Sequence, residues 1–282
     1  MAGACPPLID AHLHLQEDVL QPHLEGVLER ARKANLRFMV CNGTHEADWE
    51  RVADLSRHNS DIIPCFGLHP WYVKERSAGW LQALEGYLDA MPSAIGEIGL
   101  DRWQIGRDEP AQEEVFRAQL ELARRRGLPV TIHCLRAWGR LLDILREGPL
   151  LEAGMLIHAF GGPHDFVRPL VDMGAYLSFA GNILDDRRKK ARASLLQAPL
   201  GRLLLETDAP ALLPPAEYCT YGEVGPDGET LNEPANLPAI LRGIAALRGE
   251  SPQTVAAAAW ENAQRFFGEL LCSRNASDAS SC

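Results

Sequence analysis

Residues 94–134 read AIGEIGLDRWQIGRDEPAQEEVFRAQLELARRRGLPVTIHC, and this one stretch holds a strand, a helix and a second strand in order. Ala94–Gly99 is a short apolar run punctuated by glycine, the form of a buried strand, and Val130–His133 repeats it. Between them, Gln112–Arg126 spaces apolar residues three and four apart, as a helix packed on one face requires. Leu120, Leu122 and Ala123 are apolar, while Arg124, Arg125 and Arg126 close the last turn, where positive charge suits the helix dipole; the triplet reads as a solvated helix end. Gly127 and Pro129 then stop the helix. The result is a βαβ unit in which one strand carries Glu97 and the next ends in His133.

The same alternation extends in both directions. Further strand-like runs lie at Leu8–His12, Leu36–Cys41, Ile62–Leu68, Met155–His158, Ala175–Phe179 and Arg202–Glu206, and helical spacing recurs at Leu24–Ala34 and Leu141–Glu147. Eight strands alternating with helices predict a TIM-type (β/α)8 barrel, with a doubly wound open sheet as the competing arrangement. A chain of 282 residues accommodates such a barrel, which commonly needs about 250 residues, so residues 1–272 are expected to form a single barrel domain. A turn-rich insertion spans 214–231, and the helices expected at Ala235–Arg248 and Pro252–Phe267 should cover the barrel outside. The small, polar stretch 273–282 is expected to be disordered.

Composition excludes several classes. Hydrophobic residues make up 46% and charged residues 23% of the chain, enough apolar content for a large core and too much for a disordered protein. A net charge of -10 opposes non-specific nucleic-acid binding, which relies on basic surface, so a phosphate substrate must be gripped locally, for instance by metal ions. The cysteines at 5, 41, 65, 134, 219, 272 and 282 are odd in number and form no CxxC pair, which fits reduced thiols in a cytoplasm. The start MAGACPPLIDAHLHL has no signal-peptide pattern, and no run approaches the ~18 apolar residues of a membrane span. A soluble cytoplasmic protein with no membrane contact and no obligate protein partner is expected. The sequon at Asn275-Ala276-Ser277 is incidental in that setting.

The chemistry gathers at strand ends. His12 and His14 stand two apart, so alternation turns both imidazoles to one side. An HxH pair alone carries little, but Glu97, His133 and His158 occupy three more strand ends, and Asp208 follows the apolar run Leu203–Leu205. Four of nine histidines thus fall where the active sites of barrels are assembled. Imidazole and carboxylate without thiolate suit zinc, manganese, iron or magnesium, and a carboxylate can bridge two ions. Six such ligands suffice for two divalent metal ions (Mg, Mn or Zn), whose shared chemistry is hydrolysis. Glu97 is the expected bridging carboxylate, and Asp208 is expected both to ligate and to accept the proton of the attacking water.

Neighbouring residues invite further expectations. His69, just past the third strand, could donate to a substrate oxygen or leaving group, or else anchor a loop beside Pro70. Asp101 either orients a ligating histidine or caps the loop that follows, and Glu206 is left between a structural role and support of a ligand. Cys134 should turn away from the metals and pack, while His23, His45, His58 and His164 read as surface residues. Arg187, Arg188, Lys189 and Lys190 read as a solvated helix start that could add one weak backbone contact.

The patterns IDAHLHL, GLHPW, AIGEIGLD, QEEVFRAQLELARRRGLPVTIHC, LIHAFGG, LLLETDAPALLP and NEPANLPAIL follow one another from about Leu8 to Gly268. Together they resemble the TatD family of metal-dependent deoxyribonucleases, within the amidohydrolase-like superfamily. The resemblance implies a TIM-barrel metallohydrolase with 3′-to-5′ exonuclease action on DNA. It places His12, His14, Glu97, His133, His158 and Asp208 on the family's metal-binding positions and His69 on its further active-site histidine. Where many members read HCRDA or HSRDA, this chain reads HCLRAW, so contacts to substrate from Leu135 and Arg136 are expected to differ.

Two other functions compete. An amidohydrolase-like enzyme could open an amide, lactone or carboxylic ester at the same centre, since fold and ligands do not define the substrate. A non-catalytic interaction protein on a barrel scaffold is opposed by the intact set of six converging ligands.

Overall fold

A computed structural model describes residues 6–279. Eight strands alternate with helices: β1 (Leu8–Leu13), α1 (Leu24–Lys33), β2 (Leu36–Asn42), α2 (Glu46–His58), β3 (Ile62–Phe66), α3 (Trp80–Ala90), β4 (Ala94–Asp101) and α4 (Glu109–Arg126). The order continues with β5 (Val130–Leu135), α5 (Trp138–Glu147), β6 (Met155–Ile157), α6 (Val167–Asp172), β7 (Ala175–Phe179), α7 (Lys189–Gln197) and β8 (Leu203–Leu205). A two-residue hairpin, β9 (Glu223–Val224) with β10 (Thr230–Leu231), lies in the expected insertion, and α8 (Leu237–Arg248) and α9 (Pro252–Ala279) follow.

Each strand from β1 to β7 pairs in parallel with the next one in sequence, which excludes the doubly wound alternative, since that topology needs a reversal of strand order. The last seam is closed by the segment after β8. Asp208 N–H donates to His12 O at 3.0 Å and His14 N–H to Ala209 O at 2.8 Å. Buried Asp10 reinforces this seam by accepting from the Thr207 backbone N–H at 3.0 Å and from its hydroxyl at 2.5 Å. Burial pushes the Asp10 carboxyl up to about 8.

Alternation along the strands sorts two cores. On β2, Phe38 and Val40 join Ile9, Ile63, Ala94, Leu156 and Leu204 in the barrel interior, while Met39 and Cys41 face the surrounding helices. Among the residues packed into the interior cluster are Phe266, Phe267, Leu270 and Leu271 of α9. The part of α9 from Ala263 to Leu271 therefore plugs the barrel at the end opposite the mouth, whereas the helical spacing alone suggests that it covers the outside; α8 does pack in the outer layer. That helix also runs on through Ala279, into the stretch 273–282 expected to be disordered, of which 280–282 lie outside the described residues.

Local chemistry sets the element ends. Asp108 caps α4 by accepting from Ala111 N–H at 3.0 Å, and Gly127 ends it in the left-handed region, φ 62°. The arginine triplet is more than a solvated helix end: Arg125 and Arg126 reach Glu85 and Asp89 of α3, and Arg124 donates to Pro149 O. No helix among the described residues is long and apolar enough to cross a membrane.

Candidate metal centre

The strand ends deliver their side chains to one buried cluster at the mouth of the barrel. Glu97, from the middle of β4, is buried, and its two oxygens divide the histidines. Oε1 lies 2.7 Å from His158 Nε2, 3.0 Å from His133 Nδ1 and 3.4 Å from His69 Nε2. Oε2 lies 3.3 Å from His14 Nε2 and 3.4 Å from His12 Nε2. Asp208 Oδ1 stands on the second side, 3.5 Å from His14 and 3.6 Å from His12. Three overlapping sets therefore bring ligand atoms within 4.8 Å of one another: His12, His14 and Glu97; His12, His158 and Asp208; His69, Glu97 and His133.

Outer contacts fix which nitrogen each ring presents. His14 Nδ1 is 2.8 Å from the Asn42 carbonyl, an acceptor only, so Nδ1 carries the proton and the Nε2 lone pair faces the cluster. His133 Nε2 lies 3.0 Å from Asp101 Oδ2, which likewise leaves Nδ1 for the cluster. His69 differs: its Nδ1 accepts from the Trp71 backbone N–H at 3.2 Å, which places the proton on Nε2, toward Glu97. The rings of His12 and His158 stack at 3.8 Å, sharing the crowding of the site.

Asp101 and Glu206 stand behind two of the histidines. Asp101 Oδ2 lies 3.0 Å from His133 Nε2, and Oδ1 accepts the backbone N–H groups of Trp103 at 2.7 Å and Gln104 at 3.2 Å, capping the loop. Glu206 is buried, accepts from Ala159 N–H at 2.6 Å and from the Ser178 hydroxyl at 2.5 Å, and stands 3.7 Å from His158 Nδ1. It braces the backbone next to His158 from behind. Cys134 is buried, as expected.

Other expectations need correction. His45 is no plain surface residue: it caps α2 in a reciprocal pair with Asp48 and stacks on Tyr72 at 4.5 Å. His23 is half-buried and lies 3.4 Å from Glu223 of the hairpin, whereas His58 and His164 are exposed. Residues missed in the sequence are those acting through backbone or seam, namely Asn42 behind His14 and Asp10 behind Thr207. For Asp10 a signal existed, two positions before His12 in IDAHLH.

The electrostatics are those of a cation site. Burial would raise the carboxyls of Glu97 and Asp208, but surrounding histidines outweigh it and hold both below the usual range. Burial would likewise lower His14, His133 and His158, yet their carboxylate partners raise all three. Burial wins at His12, which is lowered, and at His69, pushed down to about 4. Asp208 Oδ1 is buried with no hydrogen-bond partner, an arrangement that costs about 1–3 kcal/mol or more unless something satisfies the oxygen. A divalent cation fits this donor set, because imidazole nitrogens and carboxylate oxygens converge and a cation can take the place of the protons that the raised histidines otherwise hold.

A parallel (β/α)8 barrel with this cluster at the C-terminal ends of its strands defines the class, a metal-dependent hydrolase barrel whose histidines and carboxylates are candidate metal ligands. Within that class the chain belongs to the TatD-related DNase family, whose model matches residues 9–268. It is 34% identical over 270 residues to the 3′-5′ ssDNA/RNA exonuclease TatD of Citrobacter rodentium, covering 94% of this chain and 99% of that protein. It is also 34% identical over 279 residues to the putative deoxyribonuclease TATDN3 of Mus musculus, covering 93% and 89% respectively. The crystal structure of YJJV, a TatD homologue of Escherichia coli, superposes with a TM-score of 0.84 at 28% identity over 93% of this chain and 98% of that one.

Proposed function

We propose that this chain hydrolyses phosphodiester bonds at DNA ends as a 3′-to-5′ exonuclease, using two divalent cations held by His12, His14, Glu97, His133, His158 and Asp208. The observation that carries the reading is the division of histidines by Glu97: Oε1 serves His133 and His158, and Oε2 serves His12 and His14. A carboxylate so placed suits a bridge between two ions. Magnesium, manganese and zinc are the candidates. When bound, such ions supply Lewis acidity at the phosphoryl group and favour ionisation of water.

The chain's own groups have separable tasks in this reading. Asp208, kept ionised, takes the proton of the attacking water at a carboxylate oxygen. His69 is neutral near pH 7 with its proton on Nε2, so it can donate to a substrate oxygen or to the leaving group. Asp101 and Glu206 keep His133 and His158 in place. With a net charge of -10, the substrate is gripped mainly at the cluster, with no membrane and no protein partner required. The free thiols of Cys41, Cys65, Cys134, Cys219 and Cys272 suit a cytoplasmic setting.

A panel tests the assignment. Single-stranded DNA, RNA, a simple phosphodiester and a lactone are each offered to metal-stripped protein reloaded with magnesium, manganese or zinc. The reading expects shortening of DNA from its 3′ end with at least one metal and none after chelation. Turnover of the lactone alone would replace it with the amidohydrolase-like function.

A further inference from the structure

Among the described residues nine large hydrophobic side chains are exposed, and seven of these close a barrel strand or belong to a segment that follows one, Tyr221 and Val224 in the long insertion after β8. Three of the seven are aromatic: Trp71 at 40% exposure, Trp103 at 54% and Tyr221 at 40%. Scattered exposed apolar residues need no explanation, but a bias toward the rim of one site does.

Trp71 is held as a fixed plate beside the cluster. Its indole Nε1–H donates to Asp101 Oδ2 at 2.8 Å, so its polar edge is satisfied while much of the ring stays in solvent. The ring stands edge-on to His69, with centroids 5.1 Å apart and planes at 90°, and His69 faces Glu97 Oε1. Trp103 is tied to the same carboxylate, since its backbone N–H donates to Asp101 Oδ1. Asp101 thus holds the Trp71 ring, the Trp103 backbone and the cluster's His133 around one carboxylate.

We infer that Trp71 and Trp103 form a nucleobase-stacking platform that receives the unpaired terminal base of a single strand whose phosphate sits at the cluster. The inference rests on the nuclease reading above and adds the recognition element that reading lacks. A chain with a net charge of -10 has little to gain from tracking a phosphate backbone, whereas stacking on an aromatic plate needs no counterion release and accepts any base. The terminal base of a duplex is paired and stacked on its neighbour and must be unpaired to reach the platform, so single-stranded ends are favoured.

The test compares two single-stranded oligonucleotides on the metal-loaded protein, one with an ordinary 3′-terminal nucleotide and one with an abasic tetrahydrofuran residue there. Wild type should prefer the base-bearing end by about 5-fold to 100-fold in kcat/KM, mostly through KM. Trp103→Leu should cut that preference several-fold, Trp71→Leu should cut it further, and Trp103→Phe should keep most of it. An unchanged preference in Trp103→Leu and Trp71→Leu overturns the platform. So does an equal loss on both substrates in Trp71→Leu with no effect of Trp103→Leu, since Trp71 would then serve only to hold Asp101. Quenching of tryptophan fluorescence by dAMP but not by deoxyribose 5-phosphate, absent in the double Leu variant, is a readout independent of turnover. If wild type cleaves no oligonucleotide yet shows that quenching, the nuclease reading fails and the platform stands.

Discussion

At Asp208 the backbone itself is unusual: φ is 55°, in the left-handed region that few residues other than glycine, asparagine and aspartate adopt without cost. Asp208 N–H meets His12 O, so the turn that closes the barrel also aims the carboxylate at the cluster. Asp208→Asn keeps the size and one oxygen able to ligate but removes the proposed proton acceptor. Metal content should stay near wild type while the single-turnover rate falls by about 10²-fold or more. Parallel loss of metal and rate would make Asp208 a ligand only and move the base elsewhere.

Titration of the metal-free protein follows from the same residues. His14, His133 and His158 are raised above their ordinary value in the fold, so the stability they contribute is complete below about pH 6.5 and is lost as pH rises through the raised values. Asp10, raised to about 8, acts in the same direction, because ionising it is easier in the unfolded chain. Glu97 and Asp208, lowered, contribute above the ordinary carboxylate range and lose that contribution only in acid. The Tm of chelator-treated protein should therefore fall from about pH 6 to about pH 9, while cations that displace the histidine protons flatten the decline. A chelated protein whose Tm rises across that interval would refute the protonation pattern.

Among the elements, β4 and β5 show how closely site and fold are joined. Gly99 has φ 149°, and a Cβ there would lie 2.0 Å from the His133 carbonyl oxygen, so only glycine lets β4 pass β5 at the level of the ligand. Gly99→Ala should destabilise the fold by about 1–3 kcal/mol or more and displace His133, lowering metal affinity together with Tm. An alanine variant with unchanged Tm and metal affinity would show that the two strands can part without consequence.

The same unit explains what the sequence made legible. Apolar runs and three-four spacing carried the strands, the helices and the capping glycine after Arg126, because these are local properties of contiguous residues. All six cluster residues were readable: five stand at or near a strand end, where the barrel supplies convergence, and Glu97 lies mid-strand because β4 runs on to Asp101, beyond the apolar run that marked it. Side-chain partners distant in sequence were not: Arg125 and Arg126 with Glu85 and Asp89, or His45 with Tyr72, depend on packing between elements. The role of α9 was misjudged for a related reason. An apolar stripe reports that a helix is buried, and both the outside and the open bottom of a barrel offer a place to bury it.

For the whole molecule the acidic balance and the buried cluster set the mode of substrate capture. Near the mouth Arg187 is already paired with Asp185 and Arg192 with Asp186, while Arg136, just past β5, and Arg188, Lys189 and Lys190, at the start of α7, are exposed with no ion pair among the described residues, too small a group for an extended phosphate track. Binding of single-stranded DNA should consequently depend shallowly on salt, with a log–log slope of about -1 to -2. A slope of about -5 or steeper would signal an extended phosphate track instead of a gripped end.

Glu97 is the residue on which the account turns, because its two oxygens join the histidines of β5 and β6 to those of β1. The most direct measurement is the metal content per chain of wild type and Glu97→Gln, taken on folded protein of matched Tm after reloading and removal of excess ion. Two ions per wild-type chain are expected, and loss of at least one of them in Glu97→Gln together with hydrolysis. One ion per wild-type chain, or a Glu97→Gln variant that keeps both ions and the wild-type rate, would contradict it.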